Sequence, residues 1–119
     1  MELAVEKIKD IVIITPRAEF IDASNYQEFK QDIASLLEGN RLVVLDISQL
    51  RFVDSSGLGA ILSCLRKLVS AGGDLKLLCD KCKPVRMFFE LVRMNRIIDI
   101  FTTRQDALDA FARGPAVAQ

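Results

Sequence analysis

Apolar positions along this chain switch repeatedly between strand-like runs and helical spacing. Leu3 to Ile8 and Ile11 to Ile14 are β-branched-rich and are parted by the polar pair Lys9-Asp10, which predicts a β-hairpin. Pro16 lacks a ladder donor, so the second strand should stop near Thr15, with a loop up to Asp22. Ser24 to Gln27 has the S-x-x-Q form of a capping box. Tyr26, Phe29, Ile33, Leu36 and Leu37 then recur at three- and four-residue spacing, with Gly39 as an expected left-handed exit.

The same alternation continues. Leu42 to Ile47 is apolar except for Asp46, the pattern of a strand buried on both faces. Leu58, Ile61, Leu62, Leu65, Leu68 and Val69 form a second helical stripe that ends at Gly72-Gly73. Leu75 to Cys79 predicts another strand, and Pro84 suits the first turn of a helix carrying Val85, Phe88, Phe89 and Val92. Ile97, Ile98 and Ile100 predict a short last strand, and Thr103 with Asp106 predicts the cap of a final helix through Ala107, Leu108 and Phe111. The expected order is β-β-α-β-α-β-α-β-α: one α/β domain over residues 1–113, its mixed sheet mostly parallel after an N-terminal hairpin, with about four helices joined by right-handed crossovers. Residues 114–119 are small and expected to fray.

Composition narrows the chemistry. The 119 residues carry 16 basic and 16 acidic side chains and no histidine. Zero net charge argues against non-specific nucleic-acid binding. Without histidine there is no Ser-His-Asp triad, Cys-His dyad, phosphohistidine relay or His-containing zinc site. Three cysteines are too few and too odd for a stapled secreted scaffold, so a reduced, cytoplasmic protein without signal peptide is expected. The apolar runs are far shorter than the roughly 20 residues of a membrane span.

Phe52-Val53-Asp54-Ser55-Ser56-Gly57-Leu58-Gly59 follows a buried strand and opens the best-patterned helix. Polar groups there meet unpaired N–H groups and the positive end of the helix dipole. Asp54 or Ser55 can serve as an N-cap; otherwise both project at the sheet edge. Gly57 and Gly59 cost helix stability, about 1 kcal/mol each against alanine, so the turn needs a reason to be bare, such as close approach of another backbone or a partner.

Val43 to Ile47 followed by Asp54-Ser55-Ser56-Gly57-Leu58-Gly59 closely resembles the signature of the STAS domain in its form as a bacterial anti-sigma factor antagonist. The likeness runs on through Gly72-Gly73-Asp74-Leu75, the helix with Phe88 and Leu91, and Ile98-Ile100-Phe101. The resemblance implies a non-enzymatic binding module without cofactor. Its unphosphorylated form would bind an anti-sigma factor that is also a serine kinase, and a separate serine phosphatase would reverse the modification. It implies Ser55 as phosphoacceptor, with Asp22, Asp54, Ser56, Gly57, Leu58 and Gly59 on the partner-binding surface. One departure stands out: the family's G-x-[ILV]-D pattern before the first helix appears here as Glu19-Phe20-Ile21-Asp22, with Glu19 in the glycine's place. Asp22 reads equally well as an ordinary polar loop residue.

Other signals are weaker. Cys79-Asp80-Lys81-Cys82 is a C-x-x-C, but it lacks further zinc ligands and a thioredoxin-like position, so Cys79 is expected to end a buried strand and Cys64 to face the core. Lys81, Lys83, Arg86, Arg93 and Arg96 make a local positive excess, expected to be a solvated face. The alternatives are a STAS docking subunit of another signalling or lipid-transport complex, and a receiver-like domain phosphorylated on Asp46. The latter lacks the acidic pair a receiver needs for Mg²⁺. Nothing in the residues fixes the oligomeric state.

Overall fold

The computed structural model describes residues 1–112, so the expected tail at 114–119 lies outside the described residues. The hairpin forms as expected: β1 (Leu3–Ile8) pairs antiparallel with β2 (Ile11–Pro16) through a turn in which Lys9 adopts φ 57°. The ladder runs one residue past the expected stop, with Pro16 opposite Leu3 at its end.

From β2 onward the sheet is parallel. β4 (Leu42–Asp46), β6 (Asp74–Leu78) and β7 (Ile100–Phe101) follow in the order β1-β2-β4-β6-β7. Two dipeptide strands absent from the sequence expectation, β3 (Phe20–Ile21) and β5 (Phe52–Val53), pair parallel in a separate small ladder. The helices are α1 (Tyr26–Glu38), α2 (Ser55–Ser70), α3 (Lys83–Leu91) and α4 (Arg104–Ala112). The expected last strand is shorter: Met94–Arg96 is a 3-10 turn, Ile97 is exposed, Ile98 is buried in the core, and pairing begins only at Ile100.

Strand periodicity sorts the core into two layers. Val12, Ile14, Val43, Leu45, Leu75 and Leu77 point to one face, where they meet Phe29 and Ile33 of α1, Ile61 and Leu68 of α2, and Phe89 of α3. Ile11, Ile13, Val44 and Leu78 point to the other, covered by Ala107, Leu108 and Phe111 of α4. Thr103 caps α4 as expected, its Oγ1 accepting from the Asp106 N–H at 3.1 Å. Lys76 lies buried on β6, its Nζ 3.0 Å from Asp99 Oδ2 and 5.0 Å from the Phe111 ring centroid. The paired charge and the aromatic face offset the cost of taking the ammonium out of water.

Two expected helix ends differ. Gly39 has φ −98°, so α1 does not exit through a left-handed residue; instead Asn40 Nδ2 donates to the Leu36 carbonyl at 2.8 Å and satisfies an end of the helix. The left-handed glycine is Gly72, φ +84°, after α2, where the Gly73 N–H donates to the Leu68 carbonyl at 2.7 Å.

Candidate functional site

Asp54 is the N-cap of α2, with extended backbone and a carboxylate that accepts the Gly57 N–H at 3.0 Å. Its second oxygen accepts the Ala23 N–H at 3.1 Å, which ties the loop before α1 to the start of α2. Asp54 is therefore held in place rather than free at the sheet edge. The Gly57 bond, reinforced by the one from Ala23, keeps its carboxyl below the usual aspartate range, against a smaller opposing effect of desolvation.

Gly57 explains the bare turn. A Cβ at this position would sit 2.1 Å from the Ile21 carbonyl oxygen, so the first turn of α2 is pressed against the end of β3. Gly59 differs, because a Cβ there meets nothing within 4 Å. The close approach expected of both glycines holds for one.

These contacts bring the candidate residues into one neighbourhood and divide them by exposure. Ser55, at the first position of α2, and Gly59 are exposed; Ser56 is half-buried; Gly57 is buried and Leu58 packs against the core. Asp22 is half-buried and turned into its own loop, where Oδ1 accepts the Ser24 N–H at 2.9 Å and the Ser24 hydroxyl at 2.6 Å. This is why the expected capping box does not form: the charged carboxylate takes the Ser24 hydroxyl, α1 starts after Asn25 without a side-chain cap, and Gln27 donates to the Tyr26 hydroxyl instead. Glu19, in the place of the family's glycine, contributes its backbone: its carbonyl accepts from the N–H groups of Arg51 and Phe52 at 2.7 and 3.2 Å while its side chain stays exposed.

Sequence reasoning missed two aromatic residues at this site. Phe20 and Phe52 lie opposite one another in the β3–β5 register and remain 43% and 54% exposed. Neither belongs to a periodic apolar pattern, and the only available signal was the position of each two residues before an aspartate, Asp22 and Asp54. The site thus combines an exposed hydroxyl at a helix N-terminus with an apolar platform on the short ladder beside it. Asp46, the acceptor in the receiver alternative, ends β4 and accepts the Ser48 N–H at 3.0 Å.

The family model of the STAS domain matches residues 2–107. The chain is 30% identical to BtrV of Bordetella bronchiseptica, a proposed anti-sigma factor antagonist, over 112 residues that make up 93% of this chain and 95% of that protein. The crystal structure of another proposed antagonist, from Thermotoga maritima, superposes with a TM-score of 0.78 at 26% identity, covering 91% of this chain and 92% of that one. Unphosphorylated SpoIIAA, an anti-sigma factor antagonist, shares the fold with a TM-score of 0.71 at 22% identity over 97% of this chain and 99% of its own.

Proposed function

Because the chain belongs to the STAS domain family, we propose that it is an anti-sigma factor antagonist that binds an anti-sigma factor serine kinase when unphosphorylated and is switched off by phosphorylation of Ser55. The observation that carries this reading is the exposed Ser55 hydroxyl at the first position of α2, directly after the cap Asp54. End-to-end similarity to a proposed antagonist supports the class. In this reading the domain catalyses nothing; the kinase transfers the phosphoryl group and a serine phosphatase removes it. Its place of action is the cytoplasm.

The site chemistry suits a charge switch. A phosphate would add roughly −1.5 to −2 charge at a helix N-terminus, which favours anions, so the fold should tolerate it. It would also stand beside the ionised Asp54, turning a partner surface built from Ser55, Ser56, Gly59, Phe20 and Phe52 strongly negative next to an apolar platform. Binding energy drawn from the aromatic pair would then be opposed by repulsion and by the cost of desolvating the phosphate. A full switch needs several kcal/mol of differential affinity between the two forms.

Incubation with the cognate kinase and ATP should add the mass of one phosphoryl group, and Ser55→Ala should abolish the addition. Modification that persists in that variant and maps to Ser56 would overturn the assignment. Ser55→Asp should weaken partner binding with an unchanged circular dichroism spectrum. The fold also occurs within a murine anion transporter, at a TM-score of 0.69 and 21% identity over 19% of that chain. A docking subunit of that kind would bind its partner equally well with Ser55→Asp.

A further inference from the structure

The C-x-x-C set aside on sequence grounds is brought together by the fold. Cys79 directly follows β6, Cys82 is the N-cap of α3, and the fold brings their sulfurs within reach of a disulfide, with a Cα–Cα distance of 5.4 Å. That separation lies inside the range a disulfide needs. The intervening turn is shaped for it: Lys81 adopts a left-handed φ of 65°, and the Asp80 N–H donates to Ser48 Oγ at 2.8 Å. A left-handed non-glycine residue costs roughly 1–2 kcal/mol, so the bonds around it must offset that cost.

The reduced state is accommodated as well. Cys79 Sγ lies 3.2 Å from the Cys82 carbonyl oxygen, an acceptor for the thiol once the disulfide opens. Cys82, itself only 3% exposed, lines a cleft of about 700 Å³ whose rim carries Arg17, Arg51 and Lys81, with Arg17 facing Glu2 at 3.5 Å and Arg51 facing Glu19 at 4.0 Å. The start of α3 and these cations favour an anionic reagent in the cleft. The remaining cysteine, Cys64, is buried on α2 and does not line this cleft, and desolvation pushes its thiol up to about 11.

We propose that Cys79 and Cys82 are a reversible dithiol–disulfide pair, oxidised by thiol–disulfide exchange with a small anionic disulfide that enters through the Arg17–Arg51–Lys81 cleft. The Cys82 thiolate attacks one sulfur of the small disulfide, forming a mixed disulfide and releasing one small thiol. The Cys79 thiolate then attacks Cys82 Sγ, forming the internal bond and releasing the second small thiol. The cysteines lose two electrons, the small disulfide gains them, and the two cysteine protons end on the released thiols. A dithiol reductant runs the sequence backwards.

The test uses the whole chain, reduced with dithiothreitol, freed of reductant and exposed to glutathione disulfide. Alkylation in denaturant, which opens the buried cysteines, should before exposure mark both Cys79 and Cys82. After exposure neither should be alkylated, and trypsin should release residues 77–81 and 82–86 as one disulfide-linked species without glutathione. A stable glutathione adduct on either cysteine, or both thiols still open to alkylation, would overturn the pair. Raising salt to about 1 M should slow oxidation by glutathione disulfide severalfold and leave the rate with neutral 2-hydroxyethyl disulfide unchanged. Equal salt sensitivity of the two reagents, or none, would overturn the cationic route.

Discussion

Two turns lead from a strand into a helix, and they fasten the helix by different chemistry. At β5 to α2 the Asp54 carboxylate accepts the Gly57 N–H, and the adjacent Ser55 is left exposed. At β6 to α3 the N-cap Cys82 makes no side-chain capping bond; Pro84 removes one donor from the first turn, and the covalent link to Cys79 holds the start of the helix. The first turn is held by charge and, in the proposed switch, responds to charge. The second is held by a bond between sulfurs and is poised to respond to electrons.

Replacing Gly57 tests how far the first turn depends on contact rather than on its cap. Gly57→Ala would put a methyl group 2.1 Å from the Ile21 carbonyl oxygen, where only backbone movement can relieve the clash. The expected loss is about 3 kcal/mol, read as a lower urea midpoint. A loss below about 1 kcal/mol would show that α2 can draw back from β3 without penalty.

Reduction is the corresponding test of the second turn. Opening a disulfide that closes so short a loop should cost about 2 kcal/mol on chain-entropy grounds, seen by comparing urea unfolding with and without dithiothreitol. An unchanged midpoint would mean that Pro84 and the bonds around Lys81 hold α3 unaided.

Asp54→Ala isolates the charge of the first turn. The folded-state pKa of Asp54 lies below its ordinary 3.8, so its contribution is fully present above that value and is lost as pH falls through the folded pKa. The variant should melt below the parent at neutral pH, and the gap should close in acid. Asp54→Asn should recover part of the loss, because asparagine also caps helices well. A gap that persists unchanged in strong acid would assign the effect to packing.

The contrast between the turns also shows what a sequence can carry. The hairpin, β4, β6 and α2 were legible because each spans a run or a repeat of apolar residues long enough to mark its element, and Asp54 was legible as a cap because its type and place coincide. β3 and β5 were not, since two residues hold no period and their pairing depends on partners some thirty residues apart. Phe20 and Phe52 became a site only through that register. Asp22 was recognised as a position, but its competition for the Ser24 hydroxyl is a matter of local geometry that the S-x-x-Q pattern conceals. The cysteine pair was visible as spacing; the left-handed turn at Lys81 that joins its members was not.

Gly59 gives the finest test, because it separates a structural reason for glycine from a functional one. It lies on the exposed side of α2's second turn, with nothing within 4 Å of where a Cβ would be. On stability alone alanine is the better residue, since it restricts the unfolded chain and favours the helix. Gly59→Ala should therefore stabilise the isolated domain by about 0.4–1 kcal/mol. If the bare surface exists for a partner seated over Ser55, the same variant should bind the anti-sigma factor more weakly despite its greater stability. Higher stability with undiminished binding would place Gly59 outside the interface and leave Gly57, fixed by its contact with Ile21, as the one glycine of the turn that the fold requires.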